Sequence, residues 1–97
     1  MTLPGEPEYR VPPNVAWVDG ADFGLAEELY LTIVPEGRTV LLKDTARLIW
    51  HVAAEGSDDV VRDVAEIAGL TPDEVADDVR TFLADLTTRG LLLPRGR

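Results

Sequence analysis

The chain has no cysteine, which excludes disulfide staples, thiol nucleophiles, thiolate zinc sites and iron–sulfur clusters. Its one histidine, His51, leaves no imidazole cluster for a metal and no paired base for a serine nucleophile. Basic residues are scarce: 9 Lys and Arg stand against 18 Asp and Glu, a net charge of −9. Nucleic acids and anionic membranes both need a basic surface, so both partner classes are disfavoured. No run of roughly 18 apolar residues occurs, the length that crosses a membrane. Residues 1–10 lack the basic-then-apolar layout of a secretory signal, and the expected setting is soluble and cytoplasmic. Gly20, Gly24 and Gly37 are separated turn glycines, with no phosphate loop of the form G-x-x-x-x-G-K.

What is present suits one small domain: 97 residues, 45% hydrophobic and 28% charged. Pro4, Pro7, Pro12 and Pro13 crowd the start, so residues 1–13 read as a flexible tail. The domain proper is expected over 14–93, with a basic tail at 94–97. Val15 to Val18 reads as a first strand, and Asp19 to Asp22 as a turn. From Leu25 to Val34 the residues alternate, with Leu25, Leu29, Leu31 and Ile33 on one face and Ala26, Glu28, Tyr30, Thr32 and Val34 on the other. Residues 35–38 form a hairpin loop in which Gly37 is free to adopt positive φ. Thr39 to Leu42 returns as a third strand whose far edge is open.

The second half changes period. Asp44 is a candidate cap for a helix to about Ala54, with Ala46, Ile49, Trp50 and Ala53 on one stripe. Ser57 or Asp58 caps a short second helix that Gly69 closes. Thr71, Pro72 and Glu74 supply an N-cap, an N1 proline and a capping box for a third helix to about Arg89. Its apolar stripe is Val75, Val79, Phe82, Leu83 and Leu86. The expected fold is therefore α+β and winged helix-turn-helix-like, a three-stranded antiparallel sheet followed by three helices.

In a winged-helix reader the second and third helices approach DNA. Here Asp58, Asp59, Asp63 and Glu66 stand against Arg62 alone, and Asp73, Glu74, Asp77, Asp78 and Asp85 against Arg80 and Arg89. Such helices are repelled by phosphates, which weighs against a DNA-binding regulator. Asp58-Asp59 and Asp77-Asp78 match no cation-loop spacing, and no metal or other cofactor is expected. His51 reads as a boundary side chain, and Trp17 and Trp50 as core aromatics. Residues 38–47 carry Arg38, Lys43 and Arg47 against Asp44 alone. A basic strip beside an open strand suits an extended acidic peptide added as a further strand. The same strip also fits a solvated face that balances neighbouring carboxylates. A small structural subunit of a larger enzyme is a third class.

The stretch Arg38-Thr39-Val40-Leu41-Leu42-Lys43-Asp44-Thr45-Ala46-Arg47-Leu48-Ile49-Trp50 resembles the PqqD-like family, the leader-binding domains also called RiPP recognition elements. Asp77-Asp78-Val79-Arg80-Thr81-Phe82-Leu83-Ala84-Asp85-Leu86, followed by Gly90-Leu91-Leu92, is similar to that family's closing helix. The resemblance covers about residues 15–93. It implies a non-catalytic, peptide-binding role: the leader of a ribosomally made precursor adds antiparallel to the third strand, in a cleft closed by the third helix. Carried onto this chain, the strand is Thr39, Val40, Leu41 and Leu42, and the helix wall is Val75, Asp78, Val79, Phe82 and Asp85. Arg38, Lys43 and Arg80 are the candidates for acidic leader positions, and Tyr30 is a candidate surface contact. Leader anchors are expected in pockets between Leu41 and the Val79–Phe82 stripe. Stand-alone members of this size serve two kinds of pathway. In lasso-peptide pathways a separate leader peptidase is the partner. In pyrroloquinoline quinone synthesis the partner is a radical enzyme. The proline-rich acidic start departs from the second kind, so the lasso-type role is favoured.

Overall fold

A computed structural model describes residues 6–24 and 26–95. Among these residues, five strands and three helices follow in the order β1 (Tyr9–Arg10), β2 (Val15–Asp19), β3 (Glu28–Ile33), β4 (Arg38–Lys43), α1 (Asp44–Ala54), α2 (Val60–Ala68), α3 (Pro72–Thr88) and β5 (Leu93–Pro94). A single 3-10 turn, Gly20–Phe23, follows β2. The three-stranded antiparallel sheet runs β2-β3-β4. It is the expected sheet, and its third strand is β4, one residue longer at each end.

Alternation in β3 sets the two faces of the sheet. Leu29, Leu31 and Ile33 are buried while Glu28, Tyr30 and Thr32 are half-buried on the other side. Leu25, expected on the buried face, lies outside the described residues. Residues opposite one another in an antiparallel pair share a face. Register therefore places Val15, Trp17 and Asp19 of β2, and Arg38, Val40 and Leu42 of β4, on the face that meets the helices. Val18, Tyr30, Leu41 and Lys43 fall on the outer face.

The core lies between the inner face and the helices. Ile49 and Trp50 of α1, Val60 and Val64 of α2, and Val79, Leu83 and Leu86 of α3 are almost fully buried there, with Leu91 and Leu92 behind them. Trp17 meets Trp50 edge-on, ring centroids 6.0 Å apart. α3 starts with the expected capping box, the Thr71 N–H donating to Glu74 Oε2 at 2.7 Å. The other two caps differ from expectation. Asp44 is the first residue of α1, at φ 53, a left-handed conformation that Asp tolerates better than most residues. Asp59 caps α2, accepting from the Arg62 N–H at 3.1 Å, while Ser57 accepts from the Asp59 N–H.

The start of the chain departs furthest from the reading as a flexible tail. β1 pairs antiparallel with β5, Tyr9 opposite Pro94 and Arg10 opposite Leu93. Glu8 joins three parts of the fold: its N–H donates to Ser57 O at 2.8 Å, its O accepts from the Arg95 N–H at 2.9 Å, and its Oε1 accepts from the Val60 N–H at 2.9 Å. Prolines lack a donor, but Glu8, Tyr9 and Arg10 sit between Pro7 and Pro12 and keep theirs. Residues 1–5, 96 and 97 lie outside the described residues.

Candidate functional site

β4 is an edge strand: it pairs with β3 and with no other described strand. Alternate N–H and C=O groups along such an edge are available to an incoming strand. Beside the edge lies a groove of about 420 Å³ lined by Ile33, Arg38, Thr39, Val40, Thr88, Arg89 and Leu91. Ile33, Val40 and Leu91 make its apolar part. Arg38 and Arg89 make it cationic, and Thr88 and Arg89 bring in the C-terminal end of α3.

Helical geometry decides which α3 side chains share that wall. At 100° per residue Asp78, Phe82, Asp85 and Arg89 lie on one stripe, next to the apolar stripe that packs inward. Phe82 is half-buried, and Asp78 and Asp85 are exposed. Asp85 Oδ2 accepts from Arg89 Nε at 3.2 Å. Arg80 sits about 160° around the helix from Phe82 and is not on this wall. Its charge instead acts on the Tyr9 hydroxyl, whose pKa burial pushes up and Arg80 pulls down.

The expected site residues thus separate. Arg38 and Val40 front the groove, and Thr39 lines it. Leu42, Val75 and Val79 are core side chains, Val79 only 1% exposed. Leu41, 45% exposed, points to the outer face opposite Tyr30, away from the Val79–Phe82 stripe with which it was expected to form pockets. The reason is strand parity: one step along β4 turns a side chain to the other face. Lys43 is also on the outer face, where Glu28 holds it at 3.2 Å and accepts from the Tyr30 hydroxyl at 3.1 Å. Ile33, Thr88, Arg89 and Leu91 join the groove without having been expected there. A hydrophobic strand end and the end of a helix carry no local signal that they will meet.

The basic strip likewise breaks up. Arg47 Nε donates to Asp19 Oδ2 at 2.7 Å, and His51 Nε2 lies 2.6 Å from the same oxygen. Asp19 is 2% exposed, and its Oδ1 accepts from the Ala21 N–H at 3.0 Å. Hydrogen bonds from Arg47 and then His51 hold its carboxyl well below the usual carboxylate range. His51 Nδ1 faces Glu55 Oε2 at 3.6 Å, and Trp17 stacks edge-on against the ring. Both imidazole nitrogens thus face carboxylates, and neither is presented to a substrate. Of the three cations in the strip, Arg38 alone has no partner among the described residues.

A second depression, about 380 Å³, lies between α1 and α2 and is lined by Val52, Glu55, Ser57, Asp63, Glu66 and Ile67 among others. Its carboxylates make it the opposite of the β4 groove in charge.

The family model described as Coenzyme PQQ synthesis protein D (PqqD) matches residues 28–92, from the first residue of β3 to just past α3. No curated protein matches the chain. Among solved structures, TbiB1 in complex with the TbiA(beta) leader peptide is similar at a TM-score of 0.72 and 20% identity. The match covers 91% of this chain and 99% of that one. At that identity the likeness is one of fold.

Proposed function

The chain belongs to the PqqD family, and from that premise we propose that it is a non-catalytic adaptor which captures the leader of a ribosomally made precursor peptide. The leader adds as a strand antiparallel to β4, with alternate side chains entering the groove. One observation carries this reading: the open β4 edge borders a groove with an apolar part at Ile33, Val40 and Leu91 and a cationic part at Arg38 and Arg89. Main-chain hydrogen bonds then supply affinity and the groove supplies selection. The leader orders as it binds, which offsets part of the contact energy.

The captured precursor is presented to a processing enzyme, which we take to be a leader peptidase of the lasso-peptide kind, in the cytoplasm. No helix among the described residues is long and apolar enough to cross a membrane. The description of the matching family favours a second reading, a peptide chaperone in pyrroloquinoline quinone synthesis. A DNA-binding regulator is disfavoured by the acidic faces of α2 and α3.

The test is a fluorescence titration with labelled leaders from the short precursor reading frames encoded beside this protein. Saturable binding between micromolar and nanomolar, about −8 to −12 kcal/mol, is expected for one of them. The precursor that binds distinguishes the two pathways, and no binding to any leader would overturn the reading.

A further inference from the structure

Taking the peptide-capture reading as its base, we infer that the groove selects a peptide by a two-position pattern: an apolar residue followed two positions later by Asp or Glu, in that N-to-C order.

The pattern follows from register. Arg38, Val40 and Leu42 are the β4 side chains on the helix-facing side of the sheet. Leu42 is buried in the core, so Val40 and Arg38 are the two that meet a guest. A guest strand also points alternate side chains to one face. Two of its side chains, two positions apart, therefore enter the groove, one opposite Val40 and one opposite Arg38. The first meets Val40, over a groove floor formed by the buried Ile33 and Leu91, which favours an aliphatic or aromatic group. The second meets the Arg38 guanidinium, with Arg89 in the same groove.

Order follows from strand direction. β4 runs from Arg38 to Lys43, so an antiparallel guest passes Val40 before it passes Arg38. The apolar residue comes first.

Charge selection follows from what the rest of the protein does with its cations. Lys43 is held by Glu28 on the outer face, and Arg47 by Asp19 inside the fold. Arg89 gives Nε to Asp85, but a guanidinium has five N–H donors and keeps others for a guest. On a chain of net charge −9, an acidic guest is repelled in general and attracted where the Arg38 and Arg89 guanidiniums face this groove. Charge therefore fixes the position of the guest along β4 as well as helping to hold it.

The experiment is a selection from a randomised displayed peptide library, run on the full chain and on Arg38→Glu. Arg38 is exposed and without a partner among the described residues, so the substitution leaves the fold intact, and circular dichroism checks this. Peptides selected by the parent are expected to carry apolar-x-Asp/Glu. Those selected by Arg38→Glu are expected to carry Lys or Arg at the second position. In a selected peptide, Glu→Lys at that position should weaken binding to the parent by on the order of tenfold at low salt, with much of the loss recovered on Arg38→Glu. Captured peptides with no charge preference, or with the acidic residue first, would overturn the pattern while leaving peptide capture standing. A parent that captures no peptide at all would overturn both.

Discussion

The two sides of the sheet use the same residue types to opposite ends. At the β2 side, Asp19 is enclosed by Arg47 and His51 from α1, with Trp17 and Trp50 packed beside them. Every charge there has a partner within the protein, and the corner ties β2 to α1. At the β4 side the strand edge is unpaired, and Arg38 faces a groove without a carboxylate among the residues that line it. A cation held by a buried carboxylate maintains the fold, while a cation left beside an open edge is available to a guest. Proximity in sequence says little about which role an arginine takes, since Arg38 and Arg47 flank the same strand-to-helix turn.

Substitutions can break that contrast from either side. The largest effect is expected at the closed corner. Asp19→Ala removes the acceptor for Arg47, His51 and the Ala21 N–H together, leaving two half-buried side chains without the carboxylate that joins them to β2. Thermal unfolding followed by circular dichroism should show Tm several degrees lower, with leader binding retained below the transition. The same group gives the corner a pH dependence. Its folded pKa is depressed, so its contribution is present above the ordinary carboxylate value and is lost as pH falls below about 4. Stability of the parent should therefore drop more steeply in acid than that of Asp19→Asn; parallel curves would remove Asp19 from the account.

At the open side, Val40→Asp should weaken capture of a cognate leader by on the order of 2 kcal/mol, titrated well below a Tm that the new carboxylate also lowers because Val40 packs against the core. Leu41→Asp sharpens the comparison, since it is one residue away but on the outer face. It should cost under about 1 kcal/mol of binding, the scale of an exposed cross-strand pair. A loss at Leu41 matching that at Val40 would show that the guest is read from the outer face instead. The smallest effect is expected at Lys43. Charge reversal there sets two carboxylates together with Glu28 and should change stability by less than about 1 kcal/mol, with leader affinity unchanged.

Much of this molecule was legible from local pattern. Alternation across β3, the Thr71–Pro72–Glu74 start of α3 and the stripe from Val75 to Leu86 each follow from a period or a cap that a dozen consecutive residues contain. The strand-to-helix stretch from Arg38 to Trp50 carried the family resemblance in the same local way, and the absence of cysteine and of a second histidine limited the chemistry before any fold was known. Less legible was the parity of β4. Leu41 and Val40 are both apolar, and four residues of strand with leucines at two successive positions do not say which one faces inward. Pairing with β3 decides it, by setting Val40 opposite Leu31 and Leu41 opposite Tyr30.

Sequence by itself determined the three strands of the main sheet, the three helices, their order and the apolar faces they must bury, because these depend on backbone preferences and on periods of two and 3.6 residues. Tertiary structure alone decided the partners. Asp19 meets Arg47 and His51 across 28 and 32 positions, and Glu8 reaches the Val60 N–H across 52. Thr88, Arg89 and Leu91 join Ile33, Arg38 and Val40 in the same way, from opposite halves of the chain. No local pattern encodes such meetings. They arise when the sheet and helices close over a shared core, and that closure neutralises Arg47 and leaves Arg38 facing the groove.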